Sequence, residues 1–166
     1  MRDLSENLKT LAIQYVGFLR KKFKGNLQAA VLFGSVARGE ARETSDIDLL
    51  LIFKELPPGR MKRRKFLGDY PAEIEMALNQ WHEQGLWNDF VEHLKTVEEI
   101  QKNRTPFLCE VVKDGIALWD GEGIFAQLRS QIEARMKALG SQWKRLGRFR
   151  YLDLKPDLKP GEVFEL

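Results

Sequence analysis

Apolar residues recur at three- and four-residue spacing from Leu4 through Leu8, Leu11, Tyr15 and Leu19 to Phe23, one stripe that predicts a helix over 4–23. Asp3 with Glu6 can cap its start, and Gly25-Asn26 supplies its stop. The period then changes. Residues 28–33 and 49–53 are short, continuously apolar runs, the pattern of strands buried on both faces. Pro57-Pro58-Gly59 is a clear break. Leu67, Tyr70, Ile74, Leu78 and Trp81 carry a helical stripe through 60–85, and Pro71 within it predicts a kink or two abutting helices. Residues 88–95 alternate, with Phe90, Glu92 and Leu94 on one face and Val91, His93 and Lys95 on the other, as in a third strand. Thr96 with Glu99 forms a capping box for a helix over 97–102, and Thr105-Pro106 opens another that Gly115 closes. Residues 116–119 suit a brief strand. Phe125, Leu128, Ile132, Met136 and Leu139 mark a last amphipathic helix stopped by Gly140. Residues 141–166 show little periodicity and read as an extended tail on the domain or on a partner.

Composition narrows the class. With 166 residues, 43% hydrophobic and 31% charged, the chain reads as one domain (1–120) plus a C-terminal helix and tail (121–166). No window approaches the roughly 18 consecutive apolar residues of a membrane span, and the first residues lack an apolar signal core. A single cysteine, Cys109, leaves no internal disulfide and fits a reducing cytoplasm, with burial as its expected role. The net charge of +3 is mild, but cations are grouped in two runs: Arg60, Lys62, Arg63, Arg64 and Lys65; then Lys144, Arg145, Arg148 and Arg150. Such runs are solvated faces or a polyanion site. His82 is expected at the end of a helix and His93 on an exposed strand face, neither as a ligand. The tryptophans read as core or partner contacts, with base stacking open for Trp143.

Candidate chemistry gathers in one stretch. The first apolar run leads into Gly34-Ser35, and ten residues later Asp46 and Asp48 open the second. Gly34 permits a tight turn or a close ligand approach. Ser35 would stand in the first turn of a short helical piece, where free N–H groups can receive a phosphate. Arg38, three residues on, could touch phosphate or pair with Glu40 or Asp46. Residues two apart on a strand share a face, so both carboxylates point the same way, about 7 Å apart along the backbone. Mg²⁺ takes one or two carboxylates plus waters and substrate phosphates. These parts together suit phosphoryl or nucleotidyl transfer, in which positioning and charge neutralisation do most of the catalysis.

Gly34-Ser35 followed by Asp46-Ile47-Asp48 resembles the signature of the DNA polymerase β-like nucleotidyltransferases, and the wording over 30–53 most resembles the minimal nucleotidyltransferases (MNT) of prokaryotes. That resemblance implies an α/β (α+β) fold, a small mixed sheet flanked by helices. It also implies Mg²⁺ (or Mn²⁺) on Asp46 and Asp48, and ATP or another nucleoside triphosphate on Gly34 and Ser35. The expected reaction is transfer of AMP to a hydroxyl of a protein or other acceptor. Many minimal members are antitoxins of a HEPN-type toxin, so a HEPN-type partner with weak or no catalysis is the second expectation, and an RNA-end-modifying or RNA-binding protein the third. Homo-oligomerisation is left open. The superfamily draws a third carboxylate from a later strand; here Glu92 is the choice, Asp89 the runner-up, and Glu110 is set aside as helical.

Overall fold

The computed structural model describes residues 4–147 and 149–166. Asp3 of the expected cap and Arg148 of the second basic run lie outside the described residues. The chain runs α1 (Leu4–Lys22), β1 (Leu27–Phe33), α2 (Gly34–Ala37), β2 (Ile47–Phe53), α3 (Arg60–Leu67), α4 (Ala72–Glu83), β3 (Phe90–Thr96), α5 (Val97–Lys102), α6 (Pro106–Asp114), β4 (Ile116–Asp120), α7 (Ile124–Ala138), β5 (Gln142–Leu146) and β6 (Phe149–Asp153). One sheet has the order β3-β2-β1-β4. β1 is antiparallel to both β2 and β4, whereas β2 and β3 are parallel, so the sheet is mixed.

The continuous apolar runs of β1 and β2 follow from burial on both faces. Leu49, Leu51 and Phe53 of β2 pack on one face with Leu8, Tyr15 and Leu19 of α1, Leu67 of α3 and Ile74 of α4. Leu50 and Ile52, pointing the other way, meet Ile100 of α5, Val111 and Val112 of α6, and Phe125 and Leu128 of α7. Cys109 is buried in this second layer, as expected.

Three local details depart from or refine the sequence pattern. The stripe over 60–85 is two helices, and the break begins at Gly68, whose φ of 78° ends α3 before Pro71 is reached. The Thr96–Glu99 capping box is present with both of its hydrogen bonds. The supposed tail begins as a hairpin: β5 and β6 pair antiparallel from Gln142↔Asp153 to Leu146↔Phe149. Beyond it the chain returns to the second layer through Leu154 and Leu166, and Arg135 Nε donates to the Glu165 carbonyl at 2.8 Å.

Candidate active site

The site lies where β1 ends beside the start of β2. Phe33, last in β1, is paired with Asp48. The backbone then turns at Gly34, with φ 73°, into the single turn of α2. A Cβ at Gly34 would overlap Asp48 Oδ2, so glycine is needed for both the left-handed backbone and the close approach. Ser35 follows, half-buried, in the first turn of α2.

Asp48 alternates with the buried Leu49 and therefore shares the face of Leu50, towards α6. Asp46 is exposed and Asp48 half-buried. Burial, then the nearby charge of Asp46, pushes the Asp48 carboxyl up to about 6, against the opposing pull of Arg38. An acid whose proton affinity is raised by burial and by a second carboxylate is a site a divalent cation would relieve. The room that Gly34 leaves beside Asp48 suits a hard cation with carboxylate oxygens as donors. Among the described residues no group of three or more His, Cys, Asp or Glu side chains is clustered for a metal. The fit is therefore to Mg²⁺ or Mn²⁺ on two carboxylates, the remaining ligands coming from water and substrate phosphate.

The structure does not bring Glu92 to these acids. Glu92 is paired with Leu49, so it lies on the opposite face of the sheet, towards α1. There it accepts a hydrogen bond from Tyr15 Oη at 3.1 Å, and Arg64 Nη1 lies 3.7 Å away. Burial, and then the Glu92 carboxylate, pushes both the Tyr15 and Tyr70 phenols upward. Glu92 thus ties α1, α3 and the Tyr70 segment after α3 to β3 rather than serving the Asp46–Asp48 face.

The runner-up, Asp89, meets the motif through its backbone, while its carboxylate is turned to His82 and, with Glu92, acts on Tyr70. Asp89 immediately precedes β3, and its carbonyl accepts from the Ile47 N–H at 2.8 Å, between the two acids in sequence. Its carboxylate is exposed and lies 3.3 Å from His82 Nε2. Glu110 is on α6, as expected. Arg38 pairs with Glu40 at 2.8 Å and with Asp114 at 3.6 Å, the salt-bridge reading with an additional partner.

Two contributors carried no sequence signal. Asn88 is fully buried and donates from Nδ2 to the carbonyls of Arg42 and Ser45, at 2.9 and 2.7 Å, pinning the loop that delivers Asp46. His93 is not on an exposed face. It is half-buried on the Asp48 face, its ring 5.4 Å from that of Phe33 and 4.9 Å from that of Phe107. Burial, then the charges of Lys95 and Arg60, hold it below the usual histidine range.

A protein-family model, the nucleotidyltransferase domain, matches residues 13–116, from α1 into β4. The chain belongs to this nucleotidyltransferase family. Among its curated relatives, "Putative protein adenylyltransferase MJ1305" of Methanocaldococcus jannaschii is 42% identical over 67 residues, 40% of this chain and 46% of that protein. A second from the same organism, "Putative protein adenylyltransferase MJ0141", is 44% identical over 58 residues, 34% of this chain and 59% of that protein. The chain thus spans about half the length of the curated relatives it matches. Similar solved structures include the toxin–antitoxin pair MntA-HepT, at 18% identity and TM-score 0.47, covering 78% of this chain and 88% of that one. Another is a tri-AMPylated Shewanella oneidensis HEPN toxin in complex with its MNT antitoxin, at 18% identity and TM-score 0.43, covering 79% and 92%. The nucleotidyltransferase match ends before α7 and the β5–β6 hairpin.

Proposed function

We propose that this nucleotidyltransferase transfers AMP from ATP to a hydroxyl, in the first place on a protein. The observation that carries this reading is the placement of Asp48 against the Gly34 turn, with Asp46 close enough to raise its proton affinity. Family membership and the relatives named as protein adenylyltransferases support the same reaction. Asp46 and Asp48 would hold Mg²⁺ or Mn²⁺, which when bound neutralises charge on the triphosphate. Gly34 and Ser35 supply backbone and hydroxyl donors to the phosphates, and Arg38 adds positive charge at the end of α2. Asp89, beside the start of β2 and paired with His82, is the candidate acceptor of the hydroxyl proton in place of Glu92. The acceptor oxygen bonds the α-phosphorus, the bond from that phosphorus to the bridging oxygen breaks, and pyrophosphate departs.

An exposed tryptophan on the rim favours a macromolecular acceptor. Trp87 is 59% exposed, and its backbone N–H donates to the Glu43 carbonyl at 2.7 Å in the loop before Asp46. A HEPN-type protein is one such acceptor, and a non-catalytic antitoxin docking on the same rim is the second reading. Incubation with α-labelled ATP, Mg²⁺ and cell extract separates them. Label should move to a protein with the wild type and not with Asp46→Asn/Asp48→Asn. Transfer that persists in the double variant would sink the assignment, and co-purification of a partner without any label favours the antitoxin reading.

A further inference from the structure

The hairpin that follows the matched region reaches back to the phosphate turn. Arg150 of β6 donates to Glu110 at 3.2 Å and to Asp114 Oδ2 at 2.6 Å, both on α6. The same Asp114 oxygen lies 3.6 Å from Arg38 Nη1, just past Gly34-Ser35. One carboxylate therefore links the hairpin to the turn. Trp143 of β5 lies between two cations, its ring centroid 4.1 Å from Lys113 Nζ and 4.8 Å from the Arg150 guanidinium carbon.

Charge at this junction is not balanced. Arg145 is directly opposite Arg150 in the hairpin ladder, an arrangement that like charges make unfavourable. Arg150 has its two acids, whereas Glu40, an acid on which the charge of Arg145 acts, is engaged by Arg38 at 2.8 Å. The charges of Arg145 and Arg150 both act on Glu40 and on Lys113, so the four side chains share one neighbourhood. Burial, then Arg150, holds the Lys113 ammonium below its usual range. A compact set of cations in excess of its acids, joined to a Gly-Ser turn, is built for a short, highly charged anion.

We propose that Arg145 and Lys113, held in place by Arg150 and Trp143, form a rim that binds the terminal phosphates of the nucleoside triphosphate, the pyrophosphate portion that leaves. The proposal rests on the nucleotidyl-transfer reading above. It makes the C-terminal hairpin part of the nucleotide site. The cations are too closely grouped to track a long nucleic-acid backbone, which would need phosphate contacts spread along a groove.

The test is titration of the full chain with inorganic tripolyphosphate, ATP and AMP, using wild type, Arg145→Ala, Arg145→Lys and Lys113→Ala. Arg145 is exposed, so its replacement leaves the core untouched. Tripolyphosphate and ATP should each bind about tenfold more weakly to Arg145→Ala and Lys113→Ala, with AMP unchanged and affinity partly restored in Arg145→Lys. Unchanged ATP and tripolyphosphate affinity in both alanine variants overturns the rim and leaves the transfer reading standing. A wild type that binds tripolyphosphate but not ATP or AMP overturns the transfer reading while the rim survives as an anion site. Equal loss for ATP and AMP would also overturn the rim, because the phosphates would then not be what is recognised.

Discussion

Asp48 is held at a cost to the folded protein. Its carboxyl is raised from 3.8 to about 6 by burial and by Asp46. For a group raised in the folded state, stability is fully present below the unfolded value and is lost as pH rises through the folded one. The chain without metal should therefore lose stability from this group between about pH 4 and pH 6, by about 1 kcal/mol once solvent exposure is discounted. Asp48→Asn should remove that slope and be more stable than wild type at pH 7. Denaturant unfolding at pH 4, 5, 6 and 7 checks both, and a variant that keeps the wild-type slope would refute the assignment. Gly34 offers the converse case. Alanine there meets a left-handed backbone and the Asp48 carboxylate together. Gly34→Ala should lower stability by about 1–3 kcal/mol and abolish nucleotide binding. A thermal melt matching wild type would show that the turn relaxes freely. Asn88 works less directly, through two carbonyls of the loop before Asp46.

At the level of elements, the basic run of α3 divides into different roles that its spacing does not reveal. Arg63 faces inward: it makes two bonds to Glu99, at 2.9 and 2.8 Å, and others to the carbonyls of Leu94 and Pro57. Glu99 also completes the capping box of α5, so this one carboxylate joins α3, the end of β3 and α5. The Arg63 side-chain hydrogen bond is the leading reason the Glu99 carboxyl is held below its usual range. Arg63→Ala should cost about 1–3 kcal/mol, because partly buried acceptors lose a charged donor. Lys62→Ala, on the same helix but exposed, should change little. Equal melting temperatures for the two variants would contradict this division. Arg64 instead reaches Glu92, on the face away from the acids. What reads as one polyanion site is thus partly internal structure.

For the whole molecule, the local patterns and the long-range arrangement divide cleanly. The helical stripe of α1, the apolar strands, the capping box and the Gly34-Ser35…Asp46-x-Asp48 spacing depend on neighbours a few residues apart, and they could be read directly. Alternation also placed Asp46 and Asp48 together. The same alternation placed Glu92 with Phe90 and Leu94, but whether that face meets the acids depends on how β3 is laid beside β2. The parallel register pairs Glu92 with Leu49, one residue out of phase with Asp48, and a one-residue step exchanges faces. His93 followed the opposite course, gaining the acid face from that register. The hairpin was illegible for a related reason: the acids that receive Arg150 lie 36 and 40 residues earlier, on α6. By itself, then, the sequence determined the elements and the two-acid motif, because backbone period and turn chemistry are local. Strand register and helix docking decided that Glu92 faces away from that motif and which cations are grouped by the hairpin, because those depend on surfaces brought together only when the sheet is complete.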